Sequence, residues 1–272
     1  MTDAIQTGAE PAAQSQAALE RQDVNPMTGF ALLRAPAWEP QAFKDAFKRD
    51  WGVDIEAPLP EAGRPLIFNA FGSVVVVGMQ RGSVPNAAAE RAADHTDDWP
   101  EAAQAADEHL GYVIVAAVPE TASLAENART CVKALASLAE QANVMAIEAA
   151  SSLKRPDSYR SHALLMQEHP EFFPARNVIY FGIWKETEEG GLNGCTVGMS
   201  LFGLPEIEVV ESSDEAPAIK NRLLAAVLEE LQAGHILKDG DLVHMNGCAF
   251  RCALGESVGI PGTKTLQLEP QG

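Results

Sequence analysis

The sequence predicts an α+β protein, and three patterns support this class. Short runs rich in β-branched and aromatic residues alternate with amphipathic segments of helical period, so both strands and helices are expected. Tight-turn signals separate consecutive strands, which favours mixed or antiparallel sheets. The order strand, helix, strands, helix, strand occurs once in each half of the chain. Because this order is typical of the split βαβ arrangement, we expect two ferredoxin-like halves packed together.

The length and composition bound the domain organisation. The chain has 272 residues, of which 46% are hydrophobic, and this is enough to bury a core without disulfides or a structural metal. Residues 1–24 contain almost no large apolar side chain, so nothing offsets their ordering entropy and a disordered leader is predicted. Residues 25–150 are the first predicted half and residues 151–272 the second, within a single compact unit.

The clearest element of the first half is a helix over residues 39–51. Phe43, Phe47 and Trp51 recur every four positions, so they share one face that is expected to be core. Gly52 is suited to end this helix, because glycine adopts a positive φ without strain. The other elements predicted up to residue 168 are strands at 29–34, 66–71, 73–80, 112–118 and 144–148, an alanine-rich helix capped by Asn86, a helix opened by a Ser123–Glu126 capping box, and a helix at 156–168.

The second half is predicted to open with a hairpin. Strands at 177–184 and 192–202 flank an acidic tip at 186–191, and Asn193–Gly194 and Asp239–Gly240 are interpreted as hairpin turn pairs. The remaining elements are strands at 206–210, 242–245 and 263–268, and a helix that runs to Leu231 from a second capping box at Ser212 and Glu215.

The charge balance excludes some classes of partner. There are 38 acidic residues against 20 Lys and Arg, a formal net charge of -18, and such a surface repels nucleic acid and anionic membranes. It suits a basic protein partner or a cationic substrate, unless the charge serves solubility alone. With no signal sequence and no long apolar segment in view, a cytoplasmic protein is expected.

No motif predicts a complete catalytic or metal site. Residues 255–259 match G-x-S-x-G, but a proline-glycine pair comes next where a helix is needed and no histidine lies downstream, so a structural loop is favoured over a nucleophile elbow. Cys248 and Cys252 lack a second cysteine pair, so buried core thiols are favoured over a metal or redox site. The cluster Asp94, His95, Asp97 and Asp98 is interpreted as helix capping rather than a cation site. Neither a metal nor a cofactor is expected.

Several ordered strings point to a family. In the second half they are Asn177-Val-Ile-Tyr-Phe-Gly-Ile-Trp184, Asn193-Gly194-x-Thr196-x-Gly198, Phe202-Gly203-x-Pro205-Glu206-Ile207-Glu208 and Leu237-Lys238-Asp239-Gly240-Asp241, and in the first half Val84-Pro85-Asn86, Glu90 and Trp99-Pro100. Together these strings resemble the bacterial domain of unknown function family 4261 (DUF4261) over residues 25–268. Cys195 departs from the aromatic residue usual there. The resemblance implies no activity and no catalytic residue, because none is established for the family.

Two functions from different classes remain open. The first is a non-catalytic, acidic cytosolic binding protein, an immunity-type or accessory factor that holds a basic protein partner. Its candidate contact is the acidic tip, Glu186, Glu188 and Glu189. The alternative is a small-molecule enzyme with a cleft between the two halves that uses carboxylate and histidine acid–base chemistry. The candidate cleft residues are Asn86, Glu90, Asp94, His95 and Trp99.

Overall fold

The computed structural model describes residues 26–96, 99–245 and 247–271. Within them the chain forms two six-stranded sheets and seven α-helices, which confirms the predicted α+β class with mixed and antiparallel sheets. The predicted leader, residues 1–24, lies outside the described residues. No described helix is both long and apolar enough to cross a bilayer.

The first sheet is antiparallel throughout, with the strand order β2-β3-β4-β1-β5-β6. Its strands are β1 (Met27–Leu33), β2 (Leu66–Ala70), β3 (Ser73–Arg81), β4 (Gly111–Pro119), β5 (Val144–Ala149) and β6 (Ser152–Lys154). Its helices are α1 (Pro40–Trp51), α2 (Ala88–Asp94), α3 (Ala102–Glu108) and α4 (Leu124–Leu138). Successive side chains of β1 alternate between faces: Ala31 and Leu33 join the cluster under α1 and α4, whereas Leu32 joins the cluster under α2 and α3.

The second sheet has the strand order β10-β11-β12-β9-β8-β7, and only the β9–β12 pair is parallel. Its strands are β7 (Tyr180–Trp184), β8 (Leu192–Val197), β9 (Ile207–Ser212), β10 (Leu242–Met245), β11 (Cys248–Glu256) and β12 (Lys264–Pro270). Helices α5 (Pro156–Glu168) and α6 (Ala175–Val178) precede it, and α7 (Ala216–Leu231) buries Ile219, Leu223 and Val227 against β7, β8 and β9.

The two sheets share one core. A single cluster of buried apolar side chains runs from Met27 in β1 to Leu268 in β12. Helix α5 joins the halves, because it packs on α4 and β5 and leads into the second sheet. The ferredoxin-like description of each half is not confirmed. In the first half two long helices, α1 and α4, connect strands of the sheet. In the second half the strands of the sheet are connected by one described helix longer than a single turn, α7.

The local predictions at the helix ends have mixed outcomes. Gly52 ends α1 with a φ of 71°, and Ser123 and Glu126 form the predicted capping box of α4. The other two caps were predicted wrongly. Asn86 lies in a 3-10 turn with a φ of 59° and does not cap α2. Glu215 precedes α7, while the hydroxyl of Ser212 bonds Asp214 instead.

Two further local predictions fail in the second sheet. Asn193 and Gly194 lie inside β8 rather than in a turn. Gly194 lies so close to Ile219 of α7 that any side chain at this position would clash. Cys252 is buried as predicted, but Cys248, at the start of β11, is exposed. Cys248 and Cys252 lie on the same face of β11, because even spacing repeats a face along a strand. The core covers that face at Cys252 but does not reach Cys248.

Candidate functional site

A cleft of about 310 Å³ lies where the two halves meet. One side is formed by the α2–α3 connection and strand β6 of the first sheet, and the other by helices α5, α6 and α7 and strand β7. Each of these elements contributes side chains from a different region of the chain, so the cleft is assembled by tertiary packing. A concave site between two sheets is a common position for small-molecule binding.

The β5–β6 hairpin shapes the first side of the cleft. Ala150 and Ser151 turn the chain with φ values of 53° and 57°, a backbone region that non-glycine residues seldom adopt. The ring of His95 steadies this turn, because its Nδ1–H donates to the Ser151 carbonyl oxygen over 3.0 Å. The turn directs the chain into β6 and so places Ser152 and Lys154 in the cleft wall.

The charged side chains of the described residues that line the cleft are all basic. They are Lys154, Arg155, Arg176 and Lys220, and the imidazoles of His95 and His162 join them. Among the described lining residues there is no Asp or Glu. Asp97 and Asp98, next to Trp99 in sequence, lie outside the described residues. In a chain with a net charge of -18, this concentration of cations sets the cleft apart from the protein as a whole.

A buried amide fixes the orientation of His162. Asn177 donates from Nδ2 to the carbonyl oxygen of Tyr159 over 3.0 Å, so its Oδ1 faces Nδ1 of His162 at 2.5 Å. Nδ1 therefore carries the proton, and Nε2 is left for a ligand. Burial lowers the pKa of His162, and the charges of Arg176 and Lys154 lower it further, while the hydrogen bond to Asn177 opposes the shift.

Aromatic rings form part of the same lining. His95 and Tyr180 stack across the boundary between the halves, with centroids 5.1 Å apart and planes 26° apart. Trp99 lines the same cleft, and its ring centroid is 5.8 Å from the guanidinium carbon of Arg155. Phe181, the next residue of β7, also lines the cleft. Flat apolar surface and positive charge thus occur together in one site.

Only part of the predicted site is brought together. His95 and Trp99 line the cleft, as the enzyme hypothesis requires, whereas Asn86, Glu90 and Asp94 do not. Asn86 and Asp94 are exposed. One carboxylate oxygen of Glu90 is buried without a hydrogen bond among the described residues.

The other predicted residues lie elsewhere. The acidic tip, Glu186, Glu188 and Glu189, is an exposed loop between β7 and β8, away from the cleft lining. The described residues bring no three His, Cys, Asp or Glu side chains together in a group that could hold a metal ion.

The basic lining residues were missed by sequence reasoning. The adjacent pair Lys154–Arg155 was a usable signal, because two consecutive cations are uncommon in so acidic a chain. Arg176 and Lys220 gave no such signal, since each is a single cation near a helix start. Their meeting in one cleft depends on how α6 and α7 pack, which no local pattern specifies.

Comparison with known proteins does not identify a ligand or an activity for this site. No protein-family model, curated protein or solved structure matches the chain. The resemblance to family 4261 therefore stays a prediction, and the function must be inferred from the cleft itself.

Proposed function

We propose that this protein binds a small anionic molecule in the cleft between its two halves. The observation that carries the proposal is the charge of the lining: four Lys or Arg side chains, two imidazoles and, among the described lining residues, no carboxylate. Arginine and lysine in a concave, partly desolvated site favour carboxylate or phosphate groups, because charge-assisted hydrogen bonds are stronger there than at an open surface.

Arg176 is the side chain best suited to meet the anion. Arg155 already donates to Glu101 over 3.2 Å, and Lys154 donates to the Ser152 hydroxyl at 2.5 Å. Arg176 makes no ion pair or hydrogen bond within the described part of the chain. Its planar guanidinium presents parallel N–H groups that match the two oxygens of a carboxylate or phosphate.

The arrangement supports binding more than acid–base catalysis. The partner of His162 is the amide oxygen of Asn177 and not a carboxylate, and that of His95 is a backbone carbonyl. Glu90 and Asp94, the carboxylates of the enzyme hypothesis, do not line the cleft. General acid–base catalysis by a carboxylate and a histidine requires both within hydrogen-bond reach of the substrate. A non-catalytic binding role is therefore the better-supported proposal.

The test is calorimetric titration with inorganic phosphate, pyrophosphate and citrate at constant ionic strength. We expect at least one of these anions to bind, and Arg176→Ala to weaken it about 10-fold or more, since a hydrogen bond to a charged group contributes roughly 1.5–3 kcal/mol. The matched control is Arg251→Ala, which removes an exposed cation from β11, outside the cleft. Equal weakening by both variants, or no binding of any anion, would refute the proposal.

A further inference from the structure

We infer that the cleft ligand is a planar aromatic ring carrying a phosphate monoester, of the size of a nucleoside monophosphate. This inference rests on the proposed anion-binding function and specifies which anion the cleft selects. It draws on two features that a purely electrostatic site would not need together: an aromatic wall, and cations that line the same cleft as a buried imidazole.

The aromatic wall supplies the surface for the ring. His95, Trp99, Tyr180 and Phe181 all line the cleft, and the first two come from the opposite half of the molecule to the last two. His95 and Tyr180 already form a near-parallel stack at 5.1 Å. Bases stack on such side chains with little dependence on their identity, because every base has a π-face.

The donors around His162 suit a phosphate better than a single carboxylate. Arg176 and Lys154 line the same cleft as His162, and Nε2 of His162 is not occupied by any hydrogen bond within the described residues. A phosphate monoester carries a charge of about -1.5 to -2 at pH 7 and has three acceptor oxygens, whereas a carboxylate has one charge and two oxygens. The guanidinium of Arg176 and the ammonium of Lys154 together supply more than two N–H donors, which suits the three oxygens of a phosphate better than the two of a carboxylate.

The size of the cleft limits the ligand to one such unit. A volume of about 310 Å³ is at the lower end of the range of about 300–1,000 Å³ for small-molecule sites. This is consistent with a mononucleotide and too small for a dinucleotide cofactor in an extended form. The sequence contains neither G-x-x-x-x-G-K nor G-x-G-x-x-G, and the donors that this cleft offers to a phosphate are its Lys and Arg side chains.

The experiment compares four probes on the unmodified protein: adenosine 5′-monophosphate, ribose 5-phosphate, adenosine and inorganic phosphate. We expect the nucleotide to bind at least 10-fold more tightly than ribose 5-phosphate, with adenosine and phosphate weaker still. Phenyl phosphate, which keeps the ring and the phosphate without the sugar, should also bind more tightly than inorganic phosphate. Because these comparisons need no substitution, they do not depend on a variant that folds.

Two variants then separate the contribution of the aromatic wall from that of the basic side chains. Trp99→Leu should weaken nucleotide binding several-fold more than ribose 5-phosphate binding, while Arg176→Ala should weaken both to a similar extent. Phe71→Leu, an exposed aromatic outside the cleft, is the control and should change neither. If ribose 5-phosphate or phosphate binds as tightly as the nucleotide, the aromatic inference is wrong and anion binding stands. If none of the anions binds, both fail.

Discussion

The carboxylate of Glu208 accepts a hydrogen bond from the hydroxyl of Ser257, although 49 positions separate them in sequence. The same carboxylate accepts the backbone N–H groups of Val258 at 3.2 Å and Gly259 at 3.1 Å, and the Thr265 hydroxyl at 2.8 Å. A buried carboxylate with four donors is fully satisfied. The serine of the G-x-S-x-G motif is therefore an anchor for the β11–β12 loop.

Removing this anchor should destabilise the second half of the protein. Glu208→Ala leaves the buried Thr265 hydroxyl without an acceptor, which costs about 1–3 kcal/mol, and removes the hydrogen bonds from the Ser257 hydroxyl and two backbone amides, at about 0.5–1.5 kcal/mol each. We expect a loss of at least about 3 kcal/mol in the free energy of unfolding, measured by urea denaturation. Ser257→Ala, which removes one donor and keeps the carboxylate, should cost about 1 kcal/mol and leave anion binding unchanged. A neutral Glu208→Ala would contradict this role.

The sequence was sufficient to reject the nucleophile elbow at Ser257, because that motif needs a helix directly after it and a downstream histidine. It was not sufficient to assign Glu208, whose partners lie about 50 residues further along the chain. Glu206 is a parallel case: it accepts the backbone N–H of Met199 and Ser200 at 3.1 Å. The Pro205–Glu208 string thus contributes two loop anchors, which the local pattern of turns and strands did not reveal.

The cleft, too, could be predicted from the sequence only in part. The break in the chain after helix α2 was visible in sequence, and His95 and Trp99 beside this break both line the cleft. Glu90 and Asp94 were grouped with them because they are near in sequence, but both lie within α2 and outside the lining. Proximity in sequence is a poor guide once a helix ends, because the chain changes direction there. The opposite wall, built from α6 and α7, depended entirely on tertiary packing.

Two buried carboxyls should make the protein less stable as the pH rises. Burial raises the pKa of Glu148 and of Glu230 from 4.5 to about 7. Between pH 4.5 and 7 the folded state therefore keeps protons that the unfolded state has released, so the stability that these groups contribute is complete below pH 4.5 and falls as the pH rises to 7. By linkage this costs up to about 3 kcal/mol for each group at pH 8.

Replacing either carboxyl by an amide removes this pH dependence. Glu148→Gln and Glu230→Gln should each raise the free energy of unfolding at pH 8 and change it much less at pH 4.5, measured by urea denaturation at both values. Glu230→Gln keeps an acceptor for the Leu237 N–H, 3.0 Å away. Glu256→Gln, an exposed position, is the control and should have no effect at either pH. An equal shift at both pH values would show that charge burial is not the cause.

The aromatic face of α1 should contribute strongly to stability. Phe43 and Phe47 are completely buried, as the four-residue spacing predicted, and Phe47 contacts the ring of Phe68 edge-on at 5.4 Å. Phe47→Ala should lower the free energy of unfolding by about 3–5 kcal/mol. Phe71→Ala removes a neighbouring ring that is 39% exposed, and we expect a clearly smaller loss from it. Equal losses in chemical denaturation would show that the α1 face is not a tightly packed core.

The acidic tip offers a test of the basic protein partner proposed from the net charge. Glu186, Glu188 and Glu189 are exposed in the β7–β8 loop, so changing all three to Gln should alter stability by less than about 0.5 kcal/mol. If the tip steers a basic partner captured from cell extract, this triple variant should slow association more than it speeds dissociation, and added salt should do the same. An association rate that is the same with the triple variant and at higher salt would exclude the tip as a steering surface. Anion binding in the cleft should be unaffected in either case.

His162 should take up a proton when an anion enters the cleft. Its pKa is lowered by burial and by the positive charges of Arg176 and Lys154, so the ring is neutral in the empty cleft at pH 7. Because the unfolded chain binds this proton near pH 6.5 and the folded protein does so only at lower pH, the folded state loses stability as the pH falls below 6.5. A bound phosphate raises the pKa of His162 again, since its charge neutralises both cations and its oxygen can accept a hydrogen bond from a protonated Nε2.

This coupling is measurable by calorimetry of phosphate or nucleotide binding in two buffers that differ in ionisation enthalpy. Between pH 6 and 7 the apparent binding enthalpy should differ between the buffers by an amount that indicates net proton uptake, and the affinity should rise as the pH falls. His162→Gln keeps a polar side chain at this position without titrating there, so it should bind more weakly and lose most of the proton uptake. His169→Gln, an exposed histidine just beyond α5, is the matched control and should behave as the unmodified protein does. Proton uptake that persists in His162→Gln would assign the titration to the ligand phosphate or to another group of the protein, and the proposed role of His162 would be wrong.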